Sequence, residues 1–144
     1  MILDSISVVV ENCGLGTALI ENFKILHDGN VIDRSGIVDL IMNRTGLNDL
    51  YQKRLIYSEL SISDTPNGFY LPKDRNLQLL SVMFRPETKD IKNAELDNLF
   101  NKIKHIIIHE IDIQFEYNSI YEEKPRVVRT KEANKKYIED LVKS

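Results

Sequence analysis

Between Ile111 and Tyr117 the chain reads Ile-Asp-Ile-Gln-Phe-Glu-Tyr, which puts Ile111, Ile113, Phe115 and Tyr117 on one side and Asp112, Gln114 and Glu116 on the other. A period of two is the signature of an extended strand with one face on a core; a helix would scatter these apolar residues around its axis. The run Ile106-Ile107-Ile108 just before it is β-branched, so the expected strand covers 106–117. A strand this long and half-buried needs neighbours, which commits the chain to layered sheets.

Other segments agree. Ser5–Glu11 is short and valine-rich, and Asn12-Cys13-Gly14-Leu15-Gly16 follows as a turn. Thr17–Leu26 alternates except for one slip near Glu21-Asn22, which a bulge would restore; a helix is the rival, because Leu19, Phe23 and Leu26 also fit a helical stripe. His27-Asp28-Gly29-Asn30 is a hairpin-type turn leading into Val31-Ile32. Leu55–Ile62, with Leu55, Tyr57, Leu60 and Ile62 as its apolar residues, reads as a strand, as do Phe69-Tyr70-Leu71 and Asn76–Arg85, the last ending before Pro86. Asp64-Thr65-Pro66-Asn67-Gly68 and Pro72-Lys73-Asp74 are loops. Lys124–Arg129 suits an edge strand or a linker.

Helical spacing appears at Ser35–Asn43, at Asn48–Lys53, and at Asn93–Lys104, where Leu96, Leu99, Phe100 and Ile103 share a face and Asn93 stands as the N-cap. Thr130–Lys143 reads as a terminal helix. The expected class is mainly β: an antiparallel, Ig-like β-sandwich over 1–129 with one or two inserted short helices, and a C-terminal helix over 130–144.

A chain of 144 residues is the size of one domain, and 42% hydrophobic with 28% charged residues is an ordinary globular balance. The net charge of -3 argues against nucleic acid as a partner. Cys13 is the sole cysteine, so the chain forms no internal disulfide and no thiolate zinc site. With no signal-peptide pattern and no apolar run of membrane-spanning length, the expected setting is cytoplasmic, or the cytoplasmic side of a membrane-associated protein.

The motifs that carry chemistry are incomplete. Gly14-x-Gly16 follows a strand, as in a dinucleotide-binding loop, but position 19 is Leu where that loop needs a small residue. His105-x-x-x-His109-Glu110 has zinc-chelate spacing on a helix; on a strand the two histidines stand about 13 Å apart, too far for one ion. His27 beside Asp28 lacks a nucleophile-elbow partner. Glu122-Glu123 point to opposite sides of an extended chain. Lys124, Arg126, Arg129, Lys131, Lys135 and Lys136 form a basic segment over 124–136 that could face phosphate groups, of a membrane or of nucleic acid. No catalytic residue, metal site or cofactor is expected.

Two stretches carry a resemblance. Val8 to Ile20 reads Val-Val-Val-Glu-Asn-Cys-Gly-Leu-Gly-Thr-Ala-Leu-Ile, with Asp28-Gly29 after it, and Ile111 to Glu123 reads Ile-Asp-Ile-Gln-Phe-Glu-Tyr-Asn-Ser-Ile-Tyr-Glu-Glu. Together they resemble a set of uncharacterised bacterial β-sandwich domains, in which a glycine-rich turn joins the first two strands and a tyrosine-rich strand end comes late. Such domains often follow membrane helices and hold or bind other molecules. The chain departs from the set in lacking a membrane helix and in having Glu122 where glycine is usual.

The functional expectation is a non-enzymatic module that binds a protein or a small ligand within a larger assembly, with the rim at Tyr121 and Glu122 as the binding surface. The alternatives are a small hydrolase or nucleotide-handling enzyme using the Gly14–Gly16 loop or His105 and His109, and an adaptor using the basic segment.

Overall fold

The computed structural model describes residues 4–12, 14, 16–63, 68–119 and 126–130. Tyr121, Glu122, the basic residues Lys124, Lys131, Lys135 and Lys136, and all of the expected terminal helix except Thr130 lie outside them. The described residues are mainly β, with strands paired antiparallel, and fall into two compact units. One is drawn from Met1–Val9, Asp33–Ser63 and Gln78–Ile106, the other from Val10–Ile32, Asp64–Leu77 and Ile107–Ser144.

The second unit is built on β2 (Ala18–His27) and β7 (Ile111–Ser119). Ile20 and Ile25 are both buried although five positions separate them, which strict alternation forbids. The register against β7 shifts between Glu21 and Lys24, and Asn22 there takes φ +53°. The bulge returns the apolar face to the core, and Asn is among the residues that tolerate this conformation best. β3 (Asn30–Ile32) folds back on β2 through Asp28 and Gly29, both at positive φ (+51° and +84°), the pattern of a two-residue primed turn. β5 (Phe69–Leu71) also pairs with β2, and β8 (Arg126–Arg129) pairs with β7 as an edge strand. On β7, Ile111, Ile113 and Phe115 are buried, and each contributes roughly 2 kcal/mol by leaving water.

The first unit holds a three-stranded sheet in the order β1 (Asp4–Glu11), β6 (Asn76–Pro86), β4 (Ile56–Ile62). Asp33 caps α1 (Arg34–Val38) by accepting the Gly36 N–H at 2.8 Å, and the helix continues as a π turn over Asp39–Asn43. Thr45, buried, donates its hydroxyl to the Ile41 carbonyl and accepts the Leu47 N–H, so one side chain closes the first helix and opens α2 (Leu47–Gln52). In α3 (Asn93–His105), Leu96, Leu99 and Ile103 form the buried stripe. Phe84, fully buried on β6, anchors this core with Ile37, Ile41, Leu47 and Val82.

Three expectations change. Residues 106–110 are a π turn that prolongs α3, and the strand begins at Ile111. Ile106 and Ile107 are buried there, and the core contact outweighs a β-branched preference of a few tenths of a kcal/mol per residue. Tyr57 is not on the core face of β4: Ile56 and Ile62 are, which turns Tyr57 and Glu59 to the other side. Helix is also more extensive than one or two insertions, with three α-helices and two π turns among the described residues, and α3 is capped at Lys92 without a side-chain bond.

Candidate binding site

On the outward face of β4, Tyr57 stands directly across the ladder from Arg85 of β6. The Arg85 guanidinium carbon lies 4.9 Å from the centre of the Tyr57 ring, a cation–π contact, and its Nη2 is 4.0 Å from Glu87 Oε1. The Tyr57 hydroxyl donates to Glu59, two residues along the same face. That bond, followed by desolvation and the charge of Glu59, holds the phenol above its ordinary value of 10.0. The ring thus carries a hydrogen bond at its tip and a guanidinium on one face.

Tyr57 lines a shallow groove of about 380 Å³ with Tyr51, Gln52, Arg54, Ile56 and Glu87, all in the first unit. The sequence places them there for a local reason. α2 ends at Gln52, and Arg54 takes φ +59° to turn the chain into β4, with the Leu55 N–H bonded back to the Leu50 carbonyl at 3.0 Å. A non-glycine residue in this region costs roughly 1 kcal/mol, and such outliers gather at functional positions. The turn keeps Tyr51, 41% exposed at the helix end, beside Tyr57. Lys53 pairs with Asp49 at 3.0 Å and Arg85 with Glu87, whereas the Arg54 guanidinium has no side-chain partner among the described residues.

The residues singled out from sequence are arranged differently. In the 12–16 turn, Asn12 is buried and all of its polar groups are used. Its Nδ2 donates to the carbonyls of Gly16 and Leu71, each at 2.9 Å, and its Oδ1 accepts the Gly14 N–H at 3.0 Å. Its backbone N–H donates to the Arg75 carbonyl and its carbonyl accepts the Asp74 N–H. The Gly14 N–H, which a phosphate-binding loop would aim at its ligand, is turned onto Asn12. A Cβ on Gly14 would stand 3.0 Å from the Tyr117 hydroxyl, so the glycine serves close packing.

His105 and His109 are exposed and belong to α3 and the π turn, so the strand spacing that separated them does not apply. Among the described residues no group of three or more His, Cys, Asp or Glu side chains is placed to hold a metal ion. His27 and Glu110 do come together: His27 Nε2 is 3.3 Å from Glu110 Oε1 and 3.5 Å from Asp28 Oδ2. Arg126 and Arg129 lie on the exposed edge strand β8. No helix of the described residues is long and apolar enough to cross a membrane.

Sequence reasoning missed Tyr51, Arg54, Tyr57 and Arg85. The Tyr57-x-Glu59 spacing was the available signal, since on a strand it aligns a hydroxyl with a carboxylate; the Arg85 contact depends on a ladder register that the sequence does not display. No family model matches this chain, and neither the curated proteins nor the solved structures yield a match.

Proposed function

We propose that this chain is a non-enzymatic binding module of the sandwich class expected from its sequence, with the Tyr51–Tyr57 groove as its ligand site. The observation that supports this most is the Tyr57 ring, bonded to Glu59 and faced by Arg85, in the lining of an open groove. Tyrosine and arginine are the residues that most often dominate binding energy, because a ring immobilised before binding costs little entropy on contact. The volume is at the lower end of small-ligand sites, which suits a small molecule or one side chain of a protein partner. Residence in the cytoplasm or on the cytoplasmic side of a membrane assembly, and kinship with the bacterial sandwich domains, belong to the same proposal.

The His27–Glu110 contact favours a second reading, a small hydrolase with His27 as a base oriented by a carboxylate. One experiment separates the two: a turnover screen with ester, phosphoester and glycoside substrates on the wild-type chain and on His27→Asn. The expected result is no turnover in either. Robust turnover that disappears in His27→Asn would overturn the binding-module reading.

A further inference from the structure

The charges around the groove are unevenly matched. Glu87 is taken by Arg85, Asp49 by Lys53, and Glu59 accepts the Tyr57 hydroxyl. Arg54 lines the groove with its guanidinium unpartnered among the described residues, on a backbone held at φ +59°. Two tyrosines line the groove with it: Tyr51 is exposed, and Tyr57, half-buried, has the Arg85 guanidinium over its ring. A guanidinium is planar, permanently charged, and binds carboxylates and phosphates through paired N–H donors. Tyrosine faces take flat rings by offset stacking.

Resting on the binding-module reading, we infer that the Tyr51–Tyr57 groove takes a flat ring bearing a pendant anion, the ring against the tyrosines and the anion on Arg54. The shared chemistry is ring plus anion; its sources are a nucleoside phosphate or an aromatic carboxylate. Arg54 holds φ +59°, a conformation that glycine and asparagine adopt more readily, and neither of those would bring a guanidinium to the groove.

The test is calorimetric titration of the full chain with adenosine monophosphate and indole-3-carboxylate, each against its neutral counterpart, adenosine and indole, and with inorganic phosphate alone. The same series is run on Arg54→Gly, which keeps the backbone conformation and removes the charge, and amide spectra report whether the Tyr51 and Tyr57 signals move. At least one anionic ring is expected to bind about tenfold tighter than its neutral counterpart, with the difference gone in Arg54→Gly. Which of the two does so identifies the source. Equal affinity for neutral and anionic rings would overturn the inference while leaving the groove a binding site. Phosphate alone binding as tightly as adenosine monophosphate would overturn the part played by the ring. Failure of every ring to move the Tyr51 and Tyr57 signals would remove the binding-site reading itself, and the inference with it.

Discussion

Asn12 and Leu71 are 59 positions apart in the sequence, yet the Asn12 amide donates to the Leu71 carbonyl at 2.9 Å, and that bond ties the glycine-rich turn to the end of β5. The same amide bonds Gly16, so a motif that looks like a ligand loop is a buried polar knot. Such knots are costly when incomplete.

Asn12→Asp keeps the shape and the acceptor for Gly14 but sets a carboxylate against two carbonyl oxygens. A loss of about 3 kcal/mol is expected, because the buried Leu71 carbonyl and the half-buried Gly16 carbonyl lose their donor and a charge is buried without a counter-charge. Urea unfolding of the two proteins measures it; a loss under about 1 kcal/mol would show that the turn opens to water at little cost.

Gly14→Ala is expected to cost roughly 1 kcal/mol through crowding at the Tyr117 hydroxyl and Asn12 Oδ1, 3.0 and 3.2 Å from the added carbon. Removing that hydroxyl should relieve it, so Gly14→Ala costs less in a Tyr117→Phe background than in the wild type. A double-mutant cycle checks the pair. Equal costs in both backgrounds would mean that Gly14 is needed for something other than the space beside Tyr117.

Arg54 at φ +59° separates two substitutions that both delete its side chain. Glycine adopts the conformation without a Cβ penalty and alanine does not, so Arg54→Gly is expected to be more stable than Arg54→Ala by about 1 kcal/mol. Denaturant midpoints at equal m-value give the difference. The reverse order would show that the turn relaxes when the arginine is gone.

Tyr57 gives a pH signature. Its phenol is held above 10.0 first by the hydrogen bond to Glu59, so the folded chain keeps this proton to higher pH than the unfolded chain does. The stability that this adds is complete below pH 10 and is lost as pH rises through the folded value. Tyrosinate absorbance, taken as the difference between wild type and Tyr57→Phe, follows the group. Glu59→Gln is expected to bring its midpoint back down, and an unmoved midpoint would deny Glu59 the leading part.

Much of the second unit was legible in the sequence. The bulge near Glu21-Asn22 showed as a slip in alternation, the Asp28-Gly29 hairpin as a turn signal, and β7 from Ile111 onward as strict alternation. In each case neighbours along the chain decide the outcome. The 106–110 segment was misread because a run of isoleucine has no period, and burial of Ile106 and Ile107 in a helical turn satisfies it as well as a strand does. Tyr57 was misassigned for a related reason. Leu55 and Tyr57 suggested the apolar face, but the core is on the face of Ile56, and a tyrosine is stable on either side because its ring and hydroxyl suit a half-exposed position. The groove was illegible because it is made by a β4–β6 register and by a left-handed residue at the end of α2, neither of which leaves a local pattern.

Binding in the Tyr51–Tyr57 groove is read out by amide spectra of the labelled full chain titrated with indole. The expected result is a saturable set of shifts confined to Tyr51, Gln52, Arg54, Ile56, Tyr57 and Glu87, abolished in Tyr57→Ala while the remainder of the spectrum is kept. Saturable shifts that cluster elsewhere and leave these six residues still, or that persist unchanged in Tyr57→Ala, would rule the groove out.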